Sequence, residues 1–182
     1  MIQDISPYRL DTAYRGTAPV PDDCFFSFRG EDVLLRDMGD GRRSLPSFRD
    51  LGHPAGKMES RAVFLFRAGR EPVYLLGQEV NGCRGLGYFP ICELKDVLPE
   101  WVFFAGATAL HLSRWYEGNR YCGRCGGRME RKPGQRTLAC PECGNTVYPG
   151  IAPVVMVAVT DGDRLLMTKY ADRSLPQWVL IS

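Results

Sequence analysis

Four cysteines carry the clearest chemistry in this 182-residue chain. Cys122 and Cys125 form one C-x-x-C pair and Cys140 and Cys143 a second, with fourteen residues between the pairs. Each pair sits in a glycine-containing turn, Cys-Gly-Arg-Cys-Gly and Cys-Pro-Glu-Cys-Gly. Gly126 and Gly144, directly after each second cysteine, supply the open backbone that lets amides point at thiolate sulfurs. The intervening length is one residue short of the usual range for such sites and suits a hairpin that returns one knuckle to face the other. Zn²⁺ takes four thiolates in a closed tetrahedron, which leaves no position for substrate or water. The expectation is therefore a structural zinc held by Cys122, Cys125, Cys140 and Cys143. A module of about 30 residues buries too little apolar surface to fold alone, so metal binding supplies its folding energy. Redox chemistry is the rival use of C-x-x-C, but a thioredoxin-type motif does not come duplicated.

The other candidate groups are weaker. Cys24, Cys83 and Cys92 have no partner at ligand spacing and read as buried thiols. His53 lies in a Gly/Pro-rich loop and reads as a surface histidine. Between Arg114 and Arg136, seven basic residues face two acids, Glu117 and Glu130. Such a patch attracts phosphates, and it equally suits a solvated ribbon surface.

These groups need elements to position them. CFFSFRGEDVLLRD (24–37) and AVFLFRAGREPVYLLG (62–77) each place apolar runs on either side of a turn and read as hairpins. The stretch between them, 39–60, has the Gly, Pro, Ser and charge content of a long surface connection. A short strand is expected around Tyr88 to Cys92. Residues 99–117 read as one helix, with Trp101, Phe104, Thr108, His111 and Trp115 on one face and Phe103, Ala107 and Leu110 beside it. A helix this apolar must be covered on more than one side, which makes it a central connector or part of an interface. After the ribbon, Val154–Thr160, an Asp-Gly-Asp turn, RLLMTKY and WVLIS read as three strands. Three strands do not close a core, so the chain looks interrupted.

Composition bounds the rest. The hydrophobic fraction of 45% and charged fraction of 24% are those of a globular protein, and a net charge of +2 excludes a global polyanion-binding argument. No apolar run approaches a membrane span. Asp4, Arg9 and Asp11 stand where a signal peptide needs an apolar stretch. With seven cysteines arranged for metal rather than for disulfides, the expected location is the cytoplasm.

The order helix, YCGRCGG…LACPECG, VYPGIAPVVMVAV, DGDRLLM and LPQWVLIS closely resembles the NADH pyrophosphatases (NAD diphosphatases) of the Nudix hydrolase superfamily. The specific match covers roughly residues 99 to 182, and the first hundred residues agree only loosely. The resemblance implies an α+β chain: a small β-rich N-terminal domain (1–98), a connecting helix (99–118), a four-cysteine zinc ribbon (119–149) and the first strands of an incomplete Nudix α/β/α domain (150–182). It further implies a homodimer that cleaves the diphosphate of NAD(H) to NMN(H) and AMP, or acts on NAD caps of RNA. Tyr148, in the Tyr-Pro-x-Ile-Ala-Pro turn, matches a family aromatic that holds the nucleotide. The family's catalytic glutamates, which bind Mg²⁺ or Mn²⁺ and activate water, belong to a box of pattern G-x5-E-x7-R-E-x2-E-E-x-G. This chain has no Glu-Glu dipeptide, and its one Arg-Glu pair, Arg70-Glu71, is followed by Pro72, which disturbs a helix. These residues are accordingly expected to be catalytically incompetent by themselves. The alternative is a non-catalytic ribbon module that binds RNA or a protein partner through its basic patch.

Overall fold

A computed structural model describes residues 4–15, 17–52, 61–97, 99–169, 171 and 177–181. The chain is mixed α and β and divides into two compact units, Met1–Pro149 and Gly150–Ser182.

In the first unit, apolar and aromatic runs form β1 (Leu10–Asp11), β2 (Cys24–Phe26), β3 (Phe28–Arg29), β4 (Asp32–Asp37), β5 (Arg43–Ser44), β6 (Ala62–Ala68), β7 (Glu71–Leu76) and β8 (Leu86–Pro90). One sheet has the order β1-β6-β7-β2. The β6–β7 hairpin turns at Gly69, whose φ of 64° suits glycine. β2 lies parallel to β7, with Phe25 opposite Tyr74. In the second sheet β4 pairs with β3, β5 and β8. The 24–37 run expected to be one hairpin is thus divided: β2 serves the first sheet and β3 the second. Ser27 marks the bend. It is fully buried, and its hydroxyl donates to the Gln78 carbonyl at 3.0 Å and shares a hydrogen bond with the Tyr88 hydroxyl at 2.9 Å.

Side-chain alternation then builds two cores. Phe25, Leu34, Phe64, Tyr74 and Leu76 join Phe48 and Leu51 on one face. Phe26, Val33, Leu35, Leu65, Phe66, Val73 and Leu75 join the helix on the other. Phe48 and Leu51 belong to a short 3-10 turn, Phe48–Leu51, closed by a capping box between Ser47 and Asp50. The stretch 39–60 is therefore not wholly a surface connection: Leu45, Phe48 and Leu51 are core residues within it. Cys92 is exposed, and Cys24 and Cys83 are only partly buried, so these thiols are not the deep core residues expected. His53 lies outside the described residues.

The helix α1 runs Trp101–Gly118. Its buried residues are Trp101, Val102, Ala105, Gly106, Ala109, Leu112, Ser113 and Trp115, so of the stripe read from the sequence only Trp101 and Trp115 are buried, and His111 is exposed. The reason is close approach. A Cβ on Gly106 would stand 2.3 Å from Leu94 Cδ1 and 3.5 Å from Phe26 Cε1. The small residues let the helix backbone settle onto the sheet, while Phe103, Phe104 and Leu110 pack half-buried around that contact. The chain itself thus covers much of the helix's apolar excess.

The ribbon follows as β9 (Glu130–Arg131), β10 (Leu138–Ala139) and β11 (Thr146–Val147), antiparallel in the order β11-β10-β9. In the second unit β12 (Thr160–Asp161) and β13 (Arg164–Leu165) form a hairpin around Gly162, φ 59°. Val157 bridges to Ile181 and Thr168 to Val179. Ile151, Val154, Val155 and Met156 remain 70–89% exposed. Among the described residues no helix is long and apolar enough to cross a membrane.

Candidate metal centre and its surroundings

The two C-x-x-C turns are built alike. Cys122 N–H donates to the Gly127 carbonyl and Gly126 N–H to the Cys122 carbonyl, both at 2.8 Å. Cys140 N–H donates to the Asn145 carbonyl at 2.8 Å and Gly144 N–H to the Cys140 carbonyl at 2.9 Å. Gly126 and Gly144 sit at φ 75° and 71°, the left-handed conformation each turn requires. The β10 pairings with β9 and β11 bring the two turns face to face.

All four cysteine sulfurs consequently lie within 4.8 Å of one another. Cys122 and Cys143 are 3.6 Å apart and Cys125 and Cys140 3.4 Å. A zinc ion with Zn–S bonds of about 2.3 Å has sulfur–sulfur edges of about 3.8 Å, so the cluster has the dimensions of a four-thiolate tetrahedron. Donors surround Cys122: Arg124 N–H at 3.4 Å and Asn145 Nδ2 at 3.5 Å. Gly127 is a feature that the spacing alone did not reveal. A Cβ there would meet Glu142 Cγ at 2.9 Å and the Cys140 and Cys125 sulfurs at 3.3 and 3.4 Å.

Electrostatics point the same way. Backbone N–H groups of Arg124 and Cys125 pull the Cys122 thiol down to about 6, leaving a thiolate at neutral pH. The Gly127 N–H acts likewise on Cys125, but hydrogen bonding with the Cys140 and Cys143 thiols outweighs it and pushes Cys125 up to about 12. Four sulfurs this close cannot all ionise alone. A dication resolves the conflict.

The ribbon is seated on the rest of its unit. Trp115 of α1 packs with Cys122, Met129, Leu138 and Cys140. In β6, Phe64 pairs with Tyr74 and Phe66 with Val73, so Leu65 is the extra residue of a β-bulge. Its carbonyl accepts a hydrogen bond from the Arg136 guanidinium. Arg136 lies over the Tyr14 ring at 5.9 Å, and Arg131 reaches the Ala62 carbonyl at 3.5 Å. Burial pushes Tyr116 beside it up to about 12, so no phenolate offsets the Arg136 charge at physiological pH. Arg136→Ala should lower unit stability by about 1–3 kcal/mol, because the carbonyl loses its donor, with zinc content unchanged. Thermal melting checks this against Arg124→Ala, whose side chain is exposed and should be silent.

This changes the meaning of the basic stretch. Arg114 pairs with Glu31 at 2.7 Å, while Arg131 and Arg136 are spent on β6 carbonyls. Three of the seven cations are therefore part of the fold. Tyr148, just after β11, is 62% exposed.

A hairpin-borne four-thiolate cluster of this kind defines the zinc ribbons. Residues 119–148 match the family model of the NADH pyrophosphatase zinc ribbon domain. The chain is similar to the NAD-capped RNA hydrolase NudC of Deinococcus radiodurans, 32% identical over 142 residues, which cover 78% of this chain and 47% of that protein. It is also similar to NudC of Stutzerimonas stutzeri, 32% identical over 128 residues, 70% of this chain and 42% of the relative. A third NudC, from Pseudomonas fluorescens, is 36% identical over 105 residues, 54% and 36% of the two chains. The ribbon is thus of the NADH pyrophosphatase type, and the matched residues are similar to the NudC hydrolases. It spans about half the length of the curated relatives it matches.

Proposed function

We propose that these residues form the N-terminal domain (1–98), connecting helix (99–118), zinc ribbon (119–149) and first Nudix strands (150–182) of a hydrolase that cleaves the diphosphate of NAD(H) or of NAD-capped RNA. The ribbon match carries this reading, because it joins a motif of high specificity to relatives named for one reaction. Zinc on Cys122, Cys125, Cys140 and Cys143 holds the ribbon and takes no part in the chemistry. Exposed Tyr148 offers a ring on which a nucleotide base stacks. Diphosphate cleavage needs a divalent ion to neutralise the phosphates and activate water. Mg²⁺ or Mn²⁺ would be held by carboxylates outside these 182 residues. A homodimer belongs to the same reading, and sedimentation of the purified protein checks it.

The test is direct. The purified 182-residue chain, given NADH and Mg²⁺, should release no NMNH or AMP, and measurable turnover would overturn the assignment of the chemistry to other residues. Reading the coding frame beyond Ser182 should reveal Gly-Phe-Val-Glu and a glutamate-rich box. Unrelated sequence there would favour a non-catalytic ribbon module.

A further inference from the structure

Two of the basic residues left over by the fold line one cleft. Arg120 and Arg128 frame a space of about 430 Å³ between the end of α1 and the ribbon. Buried Met129 and Leu138 contribute to its lining, Tyr116 and Asn119 come from the helix side, and no acidic residue lines it. Among the described residues neither the Arg120 nor the Arg128 guanidinium has an ion-pair or hydrogen-bond partner, unlike Arg114, Arg131 and Arg136. Tyr121 lines the same cleft and is 69% exposed. It bridges to Arg128 across an antiparallel pair, and residues directly opposite in such a pair point to the same side. Ring and guanidinium are thus presented together.

A flat exposed ring beside two unneutralised guanidiniums over an apolar floor is the chemistry that takes a base and its flanking phosphates. A neighbouring cleft shares Gly77 and Arg120, but Glu79 and Glu117 line it. A polyanion is therefore directed to the Arg128 side. We infer that the cleft between α1 and the ribbon binds single-stranded RNA, with Arg120 and Arg128 on successive phosphodiesters and Tyr121 under a base. The inference deepens the proposed action on NAD-capped RNA by giving the RNA body its own site away from the diphosphate. Its test needs no hydrolysis and no cap, so it can fail or succeed independently of that reading.

The probe is an uncapped, unstructured, 5′-fluorescein-labelled RNA decamer, titrated with the purified chain and followed by anisotropy across a salt series. Arg120→Ala and Arg128→Ala should each weaken binding by about 3–10-fold and reduce the salt slope by about 0.7, the share of one phosphate on a single strand. Tyr121→Ala should weaken it by about tenfold. Arg124→Ala and Lys132→Ala, which lie outside the cleft, should leave it unchanged, and every variant should keep its zinc. Free ADP and inorganic phosphate at millimolar concentration should displace the RNA poorly. Equal losses at Arg124 and Lys132 would show a diffuse basic surface and overturn the inference. So would displacement by ADP as readily as by unlabelled RNA, or unchanged binding in the Arg120 and Arg128 variants.

Discussion

Stripping zinc with a strong chelator, or replacing Cys122 by serine, should unfold residues 119–149 and leave the two sheets and α1 folded. The ribbon's apolar contacts are few: beyond two cysteines, its small core holds Trp115 of the helix, Met129 and Leu138. Burying Met129 and Leu138 contributes about 3–6 kcal/mol, too little to order the module without metal, whose binding in small zinc modules is worth about 10–16 kcal/mol. The sheets and helix have cores of their own and should stay folded without the metal. Zinc analysis should give one ion per chain before treatment and none after. Amide resonances of the ribbon should collapse toward random-coil positions while those of β6, β7 and α1 stay dispersed. Loss of dispersion throughout would mean that the metal supports the whole unit.

The same site predicts a pH response with a definite sign. Metal-free, the ribbon binds more protons than it does with zinc, so acid favours release. Cys122, depressed to about 6, is the last of the perturbed thiols to take a proton as pH falls. Zinc affinity should fall as the pH drops, and most steeply below about 6, where Cys122 too must lose a proton to bind the metal. A zinc-responsive dye follows this directly, and release that rises with pH would contradict the thiolate assignment.

Gly106→Val should be the most damaging single substitution on the helix. The added Cβ would stand 2.3 Å from Leu94 Cδ1, and both Leu94 and Phe26 are fully buried, so neither has space to retreat. Overpacking of this kind costs about 1–3 kcal/mol, and a β-branched side chain adds two further methyls to place. Gly106→Ala recovers up to about 1 kcal/mol through helix propensity and should be milder. For a unit of this size, about 3 kcal/mol lowers Tm by about 6–12 °C. Gly118→Ala is the control, since nothing lies within 4 Å of that Cβ and the residue is exposed. Equal melting of Gly106→Val and Gly118→Ala would show that the helix does not seat as closely as described.

The pattern of what could be read beforehand follows from locality. The metal cluster was legible because two cysteines and a glycine three residues apart already dictate the turn, and the second copy dictates the partner. Helix α1 was legible in extent but not in orientation. Bulky side chains suggest its buried face, but of the stripe only Trp101 and Trp115 lie on it, whereas Ala105, Gly106 and Ala109 mark it by being small enough to approach. The parallel pairing of β2 with β7 joins residues some fifty positions apart, and no local pattern encodes it. Leu45, Phe48 and Leu51 were hidden because isolated apolar residues in a Gly- and Pro-rich stretch show no period. Arg136 looked like one charge among seven. Only the bulge at Leu65, a tertiary feature, gives it a carbonyl to hold.

The claim that the metal holds the fold and leaves the reaction to other residues rests on a closed coordination sphere. X-ray absorption at the zinc edge of the purified protein reads that sphere. Four sulfur ligands at about 2.3 Å, with no nitrogen or oxygen, are the expected result. Three sulfurs and an oxygen would show an open, exchangeable position and contradict a purely structural zinc.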